Sequence, residues 1–308
     1  MTMEWKGVMP AITTCFDEHL NIDHEFTGRH VNWLVENGCT GIVTNGSLGE
    51  GGTLSMDEKI ALWKTVAGAV GDRVPIVAAI ASMTTAEACA QAAEAASAGC
   101  SGLMVLPPYV YRGDWQEMKY HVSEIVKATP LSCMLYNNPV AYGTDFLPEQ
   151  IAELAEQLPN LHAVKESSTD VRRVTAIRAL CGGRLAIFVG VDDAIVEGID
   201  AGATGWIAGL VSAFPKESVD LFNYAMNGET EKAFELYKWF LPLLRLDTVP
   251  KFVQLIKLVQ EKVGWGSTRV RPPRLKLTGR ELEETLAIIE HALATRPQAD
   301  GRVQATGN

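Results

Sequence analysis

No apolar run approaches the roughly 20 residues that a membrane-spanning helix needs, so the chain predicts no membrane partner. The first residues, Met1-Thr-Met-Glu-Trp-Lys6, lack a basic stretch followed by an apolar one, and no secretory leader is expected. The six cysteines (Cys15, Cys39, Cys89, Cys100, Cys133 and Cys181) include no C-x-x-C pair. In a chain of 308 residues they read as thiols of a reducing, cytoplasmic compartment, not as a disulfide frame or a metal site. Positive charge is also scarce, with 27 Lys and Arg against 37 Asp and Glu and a net charge of −10. Nucleic-acid binding rests on a basic surface and is therefore not expected. A small anionic substrate needs only local donors and stays open.

What is present is enough apolar side chain, 47% of the residues, for a large core. Short β-rich runs at 8–14, 41–46, 75–81, 102–107, 132–137, 162–167, 185–191 and 205–210 each have the length of a buried strand. Amphipathic stretches at 24–37, 56–71, 84–98, 115–128, 147–157, 171–180 and 194–201 alternate with them. Ser55 and Glu58 form a capping-box pattern. Gly38, Gly99 and Gly202 follow helices where a left-handed cap is expected, inside the recurring Asn37-Gly-Cys39, Ala98-Gly-Cys100 and Ala201-Gly-Ala203 triplets. Eight such units predict a (β/α)8 barrel over 1–212. An open doubly wound sheet is the alternative, but Cys15-Phe-Asp-Glu18 after the first run is no glycine-rich phosphate loop. Helical patterns at 215–226, 229–244, 249–263 and 279–294, punctuated by Pro242, Pro250, Pro272 and Pro273, predict a C-terminal helical extension over 213–295. The polar tail 296–308 is expected to be disordered.

In such a barrel the chemistry gathers at the C-terminal ends of the strands. Strand six ends Ala163-Val-Lys165-Glu-Ser167. Burial disfavours an ammonium, and a lysine held partly neutral attacks a ketone to form a Schiff base. The plainer reading is a lysine paired with Glu50 or Glu166. Strand five ends Leu135-Tyr136-Asn-Asn-Pro139, placing a phenol that either shuttles protons or packs in the core. The glycines of Gly46-Ser47-Leu48-Gly49-Glu50 let amides converge into a carboxylate cradle, with Ser47 adding a hydroxyl, unless they form a plain turn. Tyr109 and Tyr111 after strand four point into a site or anchor an interface.

In this order, these motifs resemble those of the dihydrodipicolinate synthase / N-acetylneuraminate lyase family of class I pyruvate-type aldolases. Gly46-Ser-Leu-Gly49-Glu50 with Thr53-Leu54, Tyr136-Asn-Asn-Pro139, Lys165-Glu-Ser-Ser168, Gly190-Val-Asp192 and Ala201–Gly205 match in register, from about Gly7 to Leu277. The resemblance implies that Lys165 forms a Schiff base with a 2-oxo acid and that Tyr136 relays protons. It implies that Ser47 and the Leu48 amide hold the substrate carboxylate, with Gly46 and Ile207 lining the site. Tyr109 matches a tyrosine that reaches across a dimer interface to complete the relay. A homotetramer, built as a dimer of dimers, and no metal or organic cofactor are implied as well.

Two departures and one further match stand out. Leu48 replaces a hydroxyl residue that bridges two tyrosines in the synthases, so Ser47 or a water has to substitute. Ala141 stands where the synthases carry an arginine for a distal carboxylate. Asp193 follows Asp192 where sialate lyases carry an acidic residue that suits a hydroxylated tail. The expected activity is lyase, dehydratase or deaminase chemistry on a 2-oxo acid, such as a 2-keto-3-deoxy sugar acid, 4-hydroxy-2-oxoglutarate or 1-pyrroline-4-hydroxy-2-carboxylate. The alternatives are dihydrodipicolinate synthesis or a non-catalytic barrel that keeps the scaffold.

Overall fold

The computed structural model describes residues 3–297. Strands β1 (Gly7–Pro10), β2 (Ile42–Thr44), β3 (Ile76–Ile80), β4 (Gly102–Val105), β5 (Ser132–Asn137), β6 (Leu161–Glu166), β7 (Ala186–Val189) and β8 (Gly205–Ala208) pair in parallel in the order β1-β8-β7-β6-β5-β4-β3-β2. A bridge from Ala11 to Val43 joins the two ends, and Ile12 N donates to Val43 O at 3.0 Å. The result is the expected (β/α)8 barrel, nearly closed.

Side chains alternate between two cores, as strand geometry requires. Met9, Val43, Val77, Ala79, Met104, Met134, Ala163, Phe188 and Ile207 fill the interior. Their strand neighbours Val8, Ile42, Ala78, Val105, Leu135, Val164, Ile187 and Trp206 face the surrounding helices. Both faces of the strands are therefore apolar, which explains why the strand runs read as almost continuous hydrophobic segments.

Helices α1 (His24–Glu36), α2 (Met56–Val70), α3 (Thr85–Ser97), α4 (Trp115–Lys127), α5 (Pro139–Tyr142), α6 (Pro148–Gln157), α7 (Arg172–Cys181), α8 (Ile195–Asp200) and α9 (Pro215–Met226) follow the strands. The Ser55–Glu58 capping box forms at the start of α2, with Glu58 N donating to Ser55 Oγ at 3.2 Å and Ser55 N to Glu58 Oε2 at 2.9 Å. Gly38, Gly99 and Gly202 take positive φ after their helices. Helices α10 (Thr230–Leu244), α11 (Phe252–Lys262) and α12 (Gly279–Ala294) form the extension. Pro242, expected to interrupt this region, lies inside α10. It is exposed in the last turn, where a missing amide costs one hydrogen bond without ending the helix. Residues 298–308 of the tail lie outside the described residues, and Arg296 pairs with Glu217 at 2.5 Å.

The extension is locked to the loop after β2 by a buried ion pair. Lys257 Nζ of α11 donates to Glu50 Oε1 at 2.5 Å, and Arg271 N donates to Glu50 Oε2 at 3.0 Å. Lys257 is 2% and Glu50 1% exposed. Arg271 also grips Glu58 through both terminal nitrogens, at 2.9 and 2.6 Å.

Candidate active site

The site lies where β5, β6, β7 and β8 end. Lys165 is two residues beyond inward-facing Ala163, so strand parity turns its side chain into the barrel. In the parallel ladder it stands opposite Tyr136 on one side and Phe188 on the other. Its Nζ sits 4.2 Å from the centroid of the Tyr136 ring. Gly190, at the end of β7, makes room for it: a Cβ there would collide with Lys165 Cε and Ser167 Oγ.

Among the described residues, Lys165 takes part in no close ion pair. Of the two carboxylates considered as plain partners, Glu50 is held by Lys257, and Glu166 accepts from Asn137 Nδ2 at 3.0 Å and from Ser168 N at 2.6 Å. Burial pushes the Lys165 amine down to about 8, against the pull of Asp247 and Asp192.

Those two carboxyl groups form a second tier beside the lysine. Asp192 is fully buried; its Oδ2 accepts from Leu210 N at 3.0 Å, and its Oδ1 has no hydrogen-bond partner. Burial lifts its pKa to about 7, although the Leu210 amide and Lys165 oppose the rise. Asp247 belongs to the 3₁₀ turn Arg245–Asp247 between α10 and α11, and its Oδ1 is buried and unpartnered. Burial, with Asp192 adding to it, raises the Asp247 carboxyl well above the usual range. The Gly209 amide faces both carboxyl groups. Only a glycine fits there, since a Cβ would overlap Asp247 Oδ1 and press on Leu48 Cδ2.

Three tyrosines crowd the other side. Tyr136 is 7% exposed, and its hydroxyl accepts from Asn138 Nδ2 at 3.0 Å. Burial raises its pKa. Asn138 also caps α5, with Oδ1 accepting from Ala141 N at 2.9 Å and Pro139 in the first helical position. This single turn brings Tyr142 back onto the mouth, where its ring stands edge-on to Tyr136 at 5.7 Å and to Tyr109 at 5.6 Å. The Tyr142 hydroxyl hydrogen-bonds to Ser47 Oγ and faces that of Tyr136.

The structure thus brings Lys165, Tyr136, Ser47 and Tyr109 together. Tyr109 packs on Tyr142 of its own chain, whereas Tyr111 is exposed and donates to Glu117 Oε1 at 2.7 Å. Gly46 lies against Ala79 and Met104, and Leu48 is buried. Ile207 stands in the interior opposite Met9. Asp193 points elsewhere, with its carboxylate 3.5 Å from Arg245 Nε and its carbonyl accepting from the Tyr237 hydroxyl at 2.5 Å. Tyr142 and Asp247 were not picked out from the sequence, and Asp192 entered only as part of a motif. Strand parity, running Phe188, Gly190, Asp192, marks Asp192 as the inward member of the acidic pair.

Comparison with known proteins fits this geometry. The profile of the dihydrodipicolinate synthetase family matches residues 4–292. A 4-hydroxy-tetrahydrodipicolinate synthase of Caldicellulosiruptor bescii is 33% identical over 275 residues, covering 89% of this chain and 91% of that one. Its counterpart in Desulforamulus reducens is 28% identical over 290 residues, covering 94% and 98%. Among solved structures, a dihydrodipicolinate synthase from Bacillus anthracis superposes with a TM-score of 0.90 at 28% identity, covering 97% of this chain and all of its own. The chain belongs to the dihydrodipicolinate synthetase family, whose enzymes are class I lyases working through a lysine Schiff base.

Proposed function

We propose that the chain binds a 2-oxo acid, or a cyclic imine acid, as an imine of Lys165 and acts on it as a lyase, dehydratase or deaminase. The observation that carries this reading is the state of Lys165: buried, set over the Tyr136 ring, without a close ion-pair partner, and with its pKa lowered to about 8. An ordinary lysine near 10.4 holds little free amine at neutral pH. The depressed one holds enough to attack a ketone carbon. Loss of water then gives a cationic imine that acidifies the neighbouring C3–H.

The remaining residues divide the work. Ser47, the Leu48 amide and Gly46 receive the substrate carboxylate. Tyr136 moves the C3 proton. Tyr142 supplies the hydroxyl that Leu48 lacks, bridging Tyr136 to Ser47. Tyr109 supports Tyr142, Ile207 lines the barrel interior, and Asp193 is paired with Arg245. The substrate class comprises 2-keto-3-deoxy sugar acids, 4-hydroxy-2-oxoglutarate and 1-pyrroline-4-hydroxy-2-carboxylate. A second reading, condensation onto pyruvate, is favoured by the names of the relatives. It meets an obstacle in Ala141, which offers no group for a distal carboxylate. Assembly into a homotetramer is supported by exposed apolar side chains beside the mouth, with Val110 75% and Val140 72% exposed. No described helix is long and apolar enough to cross a membrane, which accords with a cytoplasmic enzyme.

The test is to incubate purified protein with each candidate acid and identify the products. Turnover of at least one, lost in Lys165→Ala, is expected. Equal turnover by a folded Lys165→Ala variant would sink the reading.

A further inference from the structure

Resting on the 2-oxo-acid reading above, we propose that Asp247, carried to the barrel mouth by the C-terminal extension, is the general acid that protonates a hydroxyl leaving C4 of the Lys165 adduct. The site is then built for elimination from 4-hydroxy-2-oxo acids.

Three observations converge on this residue. First, among the described residues the buried Oδ1 atoms of Asp247 and of Asp192 make no close hydrogen bond, and the Gly209 amide faces both carboxyl groups. Buried polar atoms are almost always satisfied, so two unsatisfied carboxyl oxygens next to the Schiff-base lysine mark a place where a polar ligand completes the bonding. Second, the face of Asp247 toward Gly209 and Leu48 is apolar or carries no side chain. Gly209 lets the carboxyl approach, and on that side Leu48 offers only methyl groups. Third, two carboxyl groups share one pocket, and like charges so placed do not both ionise. The groups facing Asp247 are Asp192 from the end of β7, Lys165 from β6, Tyr136 from β5 and the Gly209 amide after β8. On its own turn, Arg245 is turned to Asp193. Lys165 pulls the other way, but burial, with Asp192 adding to it, favours the protonated form of Asp247.

Lys165 has condensed with the C2 ketone and released water. A C3 proton leaves to the Tyr136 hydroxyl, whose own proton passes through Tyr142 and Ser47 to solvent, and an enamine results. The nitrogen lone pair then restores the C2 iminium while the C2–C3 electron pair moves to C3–C4. The C4–O bond breaks as the Asp247 proton passes to the departing oxygen, which leaves as water. Asp247 takes a proton back from solvent when the product has gone.

The test compares two leaving groups in wild type and Asp247→Asn, using 4-hydroxy-2-oxoglutarate and 4-fluoro-2-oxoglutarate. Fluoride departs without a proton; hydroxide does not. Positioned acids contribute about 10²–10⁴-fold, so Asp247→Asn should lose about that factor in kcat for elimination of water. Its fluoride release should fall by only about threefold, on the same footing. Equal losses on the two probes would overturn the proposal, because a structural role harms both alike. If Asp247→Asn does not fold, the wild-type pH profiles decide. Elimination of water should decline on the alkaline side where fluoride release does not, and parallel profiles would overturn the proposal. A wild-type enzyme that only cleaves the hydroxy acid to pyruvate and glyoxylate would also overturn it while leaving the Lys165 imine standing. Failure of pyruvate to form any trappable adduct would remove the underlying reading as well.

Discussion

Ser47 and Tyr142 share a hydrogen bond between their hydroxyl groups, tying the carboxylate-binding loop after β2 to the one-turn helix after β5. The bond answers the gap left by Leu48: a hydroxyl chain runs from Tyr136 through Tyr142 to Ser47 within one chain. Tyr136→Phe should lower kcat by about 10²–10⁴-fold, the usual range for a positioned acid–base group. Tyr142→Phe should cost about 10–100-fold in kcat with KM little changed, and Tyr109→Phe about tenfold, because it supports the chain without joining it. Steady-state kinetics of the three variants on one substrate check this. A Tyr142→Phe enzyme at wild-type kcat, or one hurt less than Tyr109→Phe, would contradict it.

The pH profile should follow Lys165. Attack requires the free amine, so kcat/KM should rise with pH through about 8, far below an ordinary lysine. The Asp192 carboxylate favours the ammonium form. In Asp192→Asn that attraction is gone, the amine deprotonates more readily, and the acidic limb should move to lower pH. Movement to higher pH would mean that Asp192 does not act on the lysine electrostatically.

Synthesis of the lysine precursor from pyruvate and aspartate semialdehyde should be poor. A charge-assisted contact to a carboxylate contributes about 1.5–3 kcal/mol, or roughly tenfold to a few hundredfold in efficiency at 1.4 kcal/mol per decade. Ala141 has no such group to offer. A reductase-coupled assay should show slow turnover, improved by Ala141→Arg. Efficient synthesis by the unaltered protein would count against this assignment of Ala141.

The Lys257–Glu50 pair should matter to stability more than any surface pair. Removing one partner strands a buried charge, at a cost of about 3–5 kcal/mol. Lys257→Met should therefore lower the denaturation midpoint strongly, and Glu50→Gln in the same chain should recover part of the loss. Lys216, exposed and paired to Asp220 at 2.7 Å, is the control; Lys216→Met should change stability by about 1 kcal/mol or less. Similar effects at the two lysines would show that the pair is not the clamp described.

The barrel was legible in the sequence because each strand is a short apolar run buried on both faces and each long helix shows its period. Lys165 and Tyr136 were legible because charge and phenol at strand ends break that pattern. Tyr142 and Asp247 were not, because they sit on a one-turn helix and a 3₁₀ turn, too short for any periodicity to appear. For Tyr142 a signal existed: Asn138-Pro139 is a cap followed by proline at the first helical position. For Asp247 there was none, since Arg245-Leu-Asp247 reads as a solvated turn until the extension folds back over β8. Asp193 was suggested by the resemblance alone, and its carboxylate lies beside Arg245.

The imine at Lys165 can be captured directly. Protein treated with pyruvate and then with borohydride, digested and mapped by mass, should carry the reduced adduct on the peptide containing Lys165, and Lys165→Ala should carry none. An unmodified Lys165 peptide after that treatment, or an adduct that survives in Lys165→Ala, would contradict the account.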